Sequence, residues 1–146
     1  MLLFTGHKDH RLDSKDRVVI PSAFAAILRA ESEGRIFLVP SSEMPCLEAY
    51  PTTVYEQMAV GQIPNRFEGS QKARRLFYQS AEKVDLKGPG RITVPQKFLR
   101  YFPDGNVRVA GMNTYLELWH PAWWDEMVGE AIEPLPLPGV EPQGEE

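Results

Sequence analysis

Cysteine and long apolar runs are the two features that this 146-residue sequence lacks most clearly. Its single cysteine, Cys46, excludes an internal disulfide framework and a cysteine-rich zinc site. No apolar run approaches the ~18–20 residues that a membrane span requires. The apolar start, Met1 to Phe4, is also too short for a signal peptide. We therefore expect a cytoplasmic protein that has no membrane partner.

The sequence also lacks the motifs of common catalytic and ligand sites. It contains no glycine-rich phosphate loop, no Gly-x-Ser-x-Gly elbow and no His-Glu-x-x-His pair. His7 and His10 would point to opposite faces of an extended segment, which disfavours a metal site built from them. We therefore predict that the protein is not an enzyme, has no metal or other cofactor and has no small-molecule substrate.

The charged residues are distributed unevenly along the chain. The formal net charge is −4, but residues 125–146 contain seven acidic residues and no lysine or arginine. Residues 66–100, in contrast, contain nine basic and three acidic residues. A basic body with an acidic tail is compatible with a nucleic-acid partner. The alternative is that the basic residues only form a solvated helix face.

Two blocks of sequence occur twice in the same order, which indicates an internal repeat. RVVIPSAF (17–24) recurs as RITVPQKF (91–98) at an offset of 74, with Arg, Pro and Phe identical. LEAYPTTVYEQM (47–58) aligns without gaps to LELWHPAWWDEM (116–127) at an offset of 69. We infer that the chain contains two copies of one unit of roughly 60–70 residues.

The repeat also bears on the three tryptophans, which could otherwise suggest base stacking. Trp119 and Trp124 align with Tyr50 and Tyr55, as residues of a core or an interface would. We therefore expect Trp119, Trp123 and Trp124 to be structural residues.

Each copy is predicted to fold as strand, loop, strand, helix, strand, strand and helix. The β-branched runs RVVIP and RITVP are typical of strands, and Pro21 and Pro95, which end them, suit the first turn of a helix. The other predicted strands are 35–39, 46–50, 106–110 and 115–119, with earlier ones near 3–12 and 82–86, and short helices begin at Pro51 and Pro121. The predicted fold class is therefore mainly β, of the α+β type.

These elements divide the chain into four predicted segments. The first repeat covers residues 1–62, the second covers residues 80–132, and a connecting helix lies within residues 63–79. Residues 133–146 contain four prolines and four glutamates, so we expect this tail to be disordered. A proline-rich arm that lies on a neighbour's surface is the alternative.

The loop before each repeated strand has a composition that favours DNA binding. It reads DSKDR (13–17) in the first copy and KGPGR (87–91) in the second. Arginine and lysine held at a strand end can bind phosphate, and arginine can read a guanine edge in the major groove. Asp13 lies four residues before Arg17, where it can accept loop N–H bonds and orient the guanidinium. An ordinary surface hairpin with a weak ion pair is the alternative.

At these loops the chain resembles the MraZ family of bacterial transcriptional regulators. Phe4 and Gly6, LDSKDRVVIP (12–21) and GRITVP (90–95) are similar to the family's two tandem AbrB-like repeats, with their Asp-x-x-x-Arg loops. The resemblance covers about residues 3–130. It implies a swapped-hairpin (double-split) β-barrel made by both copies. It also implies a ring homo-oligomer, such as an octamer or a dodecamer, that binds double-stranded DNA and is associated with the nucleoid.

The resemblance implies DNA-binding roles for five loop residues, which are Asp13, Lys15, Arg17, Lys87 and Arg91. It implies that the bound sites are repeats upstream of the division and cell-wall gene cluster. Two loop residues depart from the family's pattern, because Asp16 stands where glycine is usual and Lys87 stands where aspartate is usual. The first loop is thus neutral, and the second carries two positive charges. The competing hypothesis is a ring-forming interaction or structural protein without specific DNA binding.

Overall fold

The computed structural model describes residues 3–65, 69–132 and 134–139. Its strands are β1 (His7–Arg11), β2 (Arg17–Val19), β3 (Arg35–Pro40), β4 (Cys46–Pro51), β5 (Glu82–Asp85), β6 (Arg91–Thr93), β7 (Asn106–Gly111) and β8 (Leu116–Trp119). Its α-helices are α1 (Ser22–Ser32), α2 (Thr52–Ala59), α3 (Gln71–Gln79) and α4 (Pro121–Met127). Two 3-10 helices cover Gln96–Tyr101 and Gly129–Ile132. Mixed α+β structure dominated by a large antiparallel sheet confirms the predicted fold class.

The two repeats exchange strands in the sheet. Six strands form one antiparallel sheet in the order β1-β7-β8-β4-β3-β5, and β2 and β6 form a separate two-stranded ribbon. β1 of the first repeat therefore pairs with β7 of the second, and β5 of the second pairs with β3 of the first. The pairing confirms the swapped hairpins that the family resemblance implies.

The strand registers give the fold an approximate two-fold symmetry. In the ribbon, Val18 lies opposite Ile92, its equivalent at the repeat offset of 74. At the centre of the sheet, Glu48 lies opposite Glu117, its equivalent at the offset of 69. The pseudo-two-fold axis therefore runs through the ribbon and between β4 and β8.

The six-stranded sheet separates two layers of structure. Strand residues alternate between the faces, so one face contributes to the main core together with the ribbon and α1. The core includes Val18, Leu28, Leu38, Ile92 and Leu118, all at most 1% exposed. The opposite face carries α2 and α3, whose aromatic cluster contains Tyr50, Tyr55 and Phe77. The ribbon and α2 thus lie on opposite sides of the sheet.

The helix after the second repeated strand differs from the prediction. α1 follows Pro21 as an eleven-residue α-helix, but the segment after Pro95 is a six-residue 3-10 helix. Pro103 follows it closely, and the residue before a proline is disfavoured in the α conformation. Pro103 thus limits the helical segment at its end, and the N–H groups of Phe98 and Phe102 donate to the carbonyl oxygens three residues before them.

The first strand, the tail and the connecting segment can also be compared with their predictions. The first strand covers only His7–Arg11 of the predicted residues 3–12, and Phe4 contributes an isolated bridge to Asn113. In the predicted tail, residues 134–139 are exposed and have no helix or strand, while residues 133 and 140–146 lie outside the described residues. In the predicted basic connection, α3 begins at Gln71, and residues 66–68 also lie outside the described part of the chain.

Candidate nucleic-acid interface

The first loop, residues 13–17, is organised around the carboxylate of Asp13. Its Oδ1 accepts backbone N–H bonds from Lys15 at 2.9 Å and from Arg17 at 3.0 Å. Its Oδ2 accepts the Nε–H of Arg17 at 2.8 Å. One side chain therefore fixes both the turn and the direction of the guanidinium, as the sequence predicts.

These bonds lower the pKa of Asp13 from its ordinary value of 3.8. The largest cause is the backbone N–H of Arg17, which donates to the charged carboxylate, and the N–H of Lys15 and the guanidinium of Arg17 act in the same direction. The carboxylate is therefore ionised at neutral pH, where it remains an acceptor for the loop. The ordering that it provides weakens only in acid, as the carboxylate takes up a proton.

The second loop, residues 87–91, has no organising carboxylate and is held by backbone bonds and by the side chain of Arg29. The Lys87 N–H donates to the Arg91 carbonyl oxygen at 2.8 Å, and the Arg91 N–H donates back to the Lys87 carbonyl oxygen at 2.9 Å. Arg29 of α1 donates from Nη2 to the Gly88 carbonyl oxygen at 2.8 Å. Because Lys87 replaces the organising aspartate, this loop depends on glycine conformations and on Arg29.

Asp16 and Gly90 are equivalent positions with different backbone demands. Asp16 adopts φ 58°, in the left-handed region that aspartate tolerates. Gly90 adopts φ 120°, which side-chain-bearing residues rarely adopt, and a Cβ there would lie 3.4 Å from the Cβ of Ala25. An aspartate can therefore replace the family's usual glycine in the first loop, whereas the second loop requires its glycine.

The fold brings the two loop arginines to one carboxylate. Arg17 is bonded to Asp13, and Nη1 of Arg91 lies 4.0 Å from the Oδ2 of the same residue. Both arginine side chains are about one-third exposed. Lys15 and Lys87 are exposed in their loops. These four basic residues, with Asp13 and Asp16, give the two loops a net charge of +2.

The ribbon formed by β2 and β6 presents a solvent-facing surface between the loops. Val18 and Ile92 point into the core, whereas Val19 and Thr93 are exposed beside the two arginines. Backbone bonds from Ile20 to Gly90 and from Val94 to Asp16 extend the pairing beyond β2 and β6. Sequence reasoning missed Val19, Thr93 and Arg29. Period-two alternation in RVV and RIT is the signal that could have placed Val19 and Thr93 on this face.

The other sequence expectations can be placed in the same structure. Trp119 is fully buried, in agreement with a structural role, and Cys46 is also buried. Over residues 3–65, 69–132 and 134–139, no group of three metal-ligating side chains comes together. His7 packs against Trp124 instead, with ring centroids 5.3 Å apart. No helix in that part of the chain has the length and apolarity of a membrane-spanning helix.

Comparison with known proteins agrees with the geometry. The family model described as "MraZ protein, putative antitoxin-like" matches residues 76–135. A transcriptional regulator MraZ from Roseiflexus castenholzii is 30% identical over 129 residues, which cover 86% of this chain and 87% of the relative. A second transcriptional regulator MraZ, from Roseiflexus sp. strain RS-1, is 29% identical over the same shares of the two chains. Both relatives are named as regulators and not as enzymes. The extent of this similarity, over both repeats, shows that the chain belongs to the MraZ family.

Proposed function

We propose that this protein is a sequence-specific, DNA-binding transcriptional regulator that acts on the nucleoid in the cytoplasm. Its sites are repeats upstream of its own division and cell-wall gene cluster. The observation that carries the proposal is the convergence of both loop arginines on Asp13, beside a solvent-facing two-stranded ribbon. A ribbon of this kind fits the major groove of B-DNA, where arginine is the preferred reader of guanine.

The hydrogen bonds of Arg17 leave donors available for DNA. Asp13 binds the guanidinium through Nε, and Nη1 and Nη2 of Arg17 donate to no residue in the described part of the chain. A guanidinium held from one side keeps its rotamer fixed while presenting its remaining N–H groups outward. Arg17 is therefore oriented before DNA arrives, so less side-chain entropy is lost on binding.

The two loops would contribute differently to binding. The first loop is neutral, because Asp13 and Asp16 balance Lys15 and Arg17, whereas the second carries Lys87 and Arg91 without an acid. Phosphate attraction depends on net positive charge, so the second loop supplies most of it. The first loop, with its tightly held arginine, supplies a fixed group for reading a base.

An apolar surface on α4 that the described residues leave partly exposed supports the proposed self-association into a ring. In the first half, α3 covers α2, because the Tyr55 ring stacks on Phe77 at 4.3 Å and its hydroxyl donates to the Phe77 carbonyl oxygen at 2.6 Å. In the second half, the surface beside Trp123 and Met127 of α4 includes a shallow cleft, and Met127 is 47% exposed. A head-to-tail contact on this surface would close into a ring and present many loops to repeated DNA sites.

Alanine variants of the two arginines test the proposal. Arg17→Ala and Arg91→Ala should each weaken binding to the upstream DNA by roughly tenfold to a hundredfold per contact, with the oligomer intact. Arg75→Ala is the matched control, since it removes the same charge from an exposed position of α3, on the other side of the sheet. Affinity can be measured by fluorescence anisotropy against upstream and scrambled duplexes.

The competing interaction-protein hypothesis predicts a different result. If both arginine variants bind upstream DNA as tightly as the parent protein, the loops do not read DNA. Parent binding that is equal on scrambled DNA would also overturn sequence specificity. Binding to the upstream DNA should fall steeply as salt rises, because each neutralised phosphate releases counterions.

A further inference from the structure

The outer face of the ribbon carries two arginines and two β-branched residues. Arg17 lies opposite Thr93, and Val19 lies opposite Arg91, so that all four side chains share one face. Val18 and Ile92, which lie between them in the strands, are 0% and 1% exposed and point into the core. The alternation leaves Val19 41% exposed on the face that carries the two arginines.

The pseudo-two-fold axis relates these four residues in pairs. At the offset of 74, Arg17 corresponds to Arg91, and Val19 corresponds to Thr93. The arginine pair is therefore symmetric, whereas the second pair differs by a hydroxyl group in place of a methyl group. Apart from the loop tips, Val19 and Thr93 are the residues by which the two halves of this face differ.

The chemistry of the major groove distinguishes these two side chains. The paired segment, residues 16–20 against 90–94, is about 17 Å long at ~3.3 Å per residue, and a two-stranded ribbon of this kind enters the major groove. The thymine methyl is the apolar group on the groove floor. Val19 offers only methyl groups to it, whereas Thr93 also offers a hydroxyl that can bond a base edge.

We propose that Val19 and Thr93 are specificity-determining residues that set the direction in which one chain binds its DNA element. Val19 contacts a thymine methyl in one half of the element, and Thr93 hydrogen-bonds a base edge at the mirrored position. The two arginines flank these residues on the same face, and the difference between Val19 and Thr93 gives the element a direction. This inference rests on the proposed DNA-binding function and adds to it the residues that break its symmetry.

A deoxyuridine scan of the upstream DNA tests the valine contact. Deoxyuridine lacks only the thymine methyl, so one substitution should weaken parent binding about fourfold, the ratio expected from burying one methyl group at ~0.8 kcal/mol. Val19→Ala should bind the all-thymine DNA more weakly and should be indifferent to deoxyuridine at that position. Thr93→Ala is the matched control and should remain sensitive to it. A Val19→Ala protein with the parent's full sensitivity would overturn the inference.

The exchange variant Val19→Thr/Thr93→Val tests the polarity. Both positions are exposed and the two side chains have nearly the same shape, so the exchange leaves the fold unchanged. On a duplex that has thymine at both mirrored sites, the deoxyuridine-sensitive position should move from the Val19 site of the parent to the mirrored site. If it stays in place, or if no position is sensitive in the parent, the inference is wrong, while arginine-dependent binding to the upstream DNA would still support the proposed function. If the parent does not bind that DNA at all, both are wrong.

Discussion

Gly90→Ala is expected to destabilise the protein and to weaken its DNA binding together. Gly90 adopts φ 120°, a conformation that costs an alanine on the order of 1–3 kcal/mol. The new Cβ would lie in van der Waals contact with the Cβ of Ala25, at 3.4 Å, so the cost comes from the backbone conformation and not from a clash. Since Gly90 accepts the ribbon bond from the Ile20 N–H, any backbone shift there disturbs the pairing of the two halves.

Urea denaturation measures the predicted loss. With a slope of about 2 kcal/mol per molar urea for a chain of this size, the cost corresponds to a midpoint lowered by roughly 0.5–1.5 M. Gly61→Ala is the control, because Gly61 also has a positive φ, of 78°, but lies at the end of α2 with open space around it. The control should lose stability without losing DNA affinity, whereas Gly90→Ala should lose both. An unchanged midpoint for Gly90→Ala would refute the assignment of this backbone conformation.

A substitution at the equivalent position of the first loop, Asp16→Gly, should raise the affinity for DNA, whereas Gly90→Ala should lower it. Asp16→Gly relieves a left-handed aspartate but adds freedom to the unfolded chain, so the two contributions nearly cancel and stability should change by less than about 1 kcal/mol. The variant removes a negative charge beside Arg17, so binding to the upstream DNA should strengthen. Weaker binding by Asp16→Gly would show that the aspartate itself contacts the DNA.

Other consequences follow for the rest of the fold. Arg108 binds both carboxylate oxygens of Asp9, at 2.7 and 2.9 Å, so Arg108→Ala should cost about 1–3 kcal/mol in urea denaturation, and Arg108→Lys should not restore the loss. The hydrogen bonds from Arg108 are the largest cause of the lowered pKa of Asp9. The pair therefore stabilises the fold above about pH 4, and this stabilisation is lost as the pH falls through the pKa of Asp9 in the folded state. Asp9→Asn should make the free energy of unfolding less dependent on pH in this acidic range. Tyr55→Phe removes the bond to the Phe77 carbonyl oxygen but keeps the ring, and should cost about 0.5–1.5 kcal/mol in the same assay. Deleting residues 133–146 removes four glutamates and no basic residue, so the melting temperature should stay constant and DNA affinity should be equal or higher; a large drop in melting temperature would show that the tail packs.

The repeats and most elements were predictable because their signals are local. Runs of β-branched residues identified β2 and β6, and the prolines at 21 and 95 marked the strand ends. The role of Asp13 followed from its spacing to Arg17, because a carboxylate four residues before an arginine can close a tight turn. These features depend on residues that are neighbours in the chain.

Features that depend on distant contacts were not predictable from local patterns. Strand exchange between the repeats follows from tertiary pairing, and only the family resemblance implied it. Phe37 of β3 and Arg108 of β7 occupy equivalent positions in the swapped sheet, yet Phe37 stacks on Tyr55 at 4.0 Å, whereas Arg108 lies over Trp124 at 4.7 Å. One position therefore uses an aromatic pair and its equivalent a cation–π contact, and nothing in the spacing of these residues distinguishes the two.

The bond from Arg29 to the second loop was missed for the same reason. The arginine lies 59 residues before Gly88 in the chain, in a helix whose pattern identifies only its buried face. The pattern of an amphipathic helix predicts that a charged residue near its end is exposed to solvent. Only the three-dimensional structure shows that a loop lies within hydrogen-bonding distance of it. The positive φ of Gly90, in contrast, is typical of the glycine that follows a proline in a tight turn.

The most direct test of the account asks which face of the protein lies on DNA. Ser14→Cys places a thiol at the exposed tip of the first loop, and Val60→Cys places one at the end of α2, where Val60 is 69% exposed. The native thiol of Cys46 is buried, so each variant can be labelled selectively with an iron chelate that cleaves nearby DNA. The account predicts localised cleavage of the upstream DNA by the Ser14→Cys conjugate and none by the Val60→Cys conjugate. Cleavage by the Val60→Cys conjugate alone would contradict it.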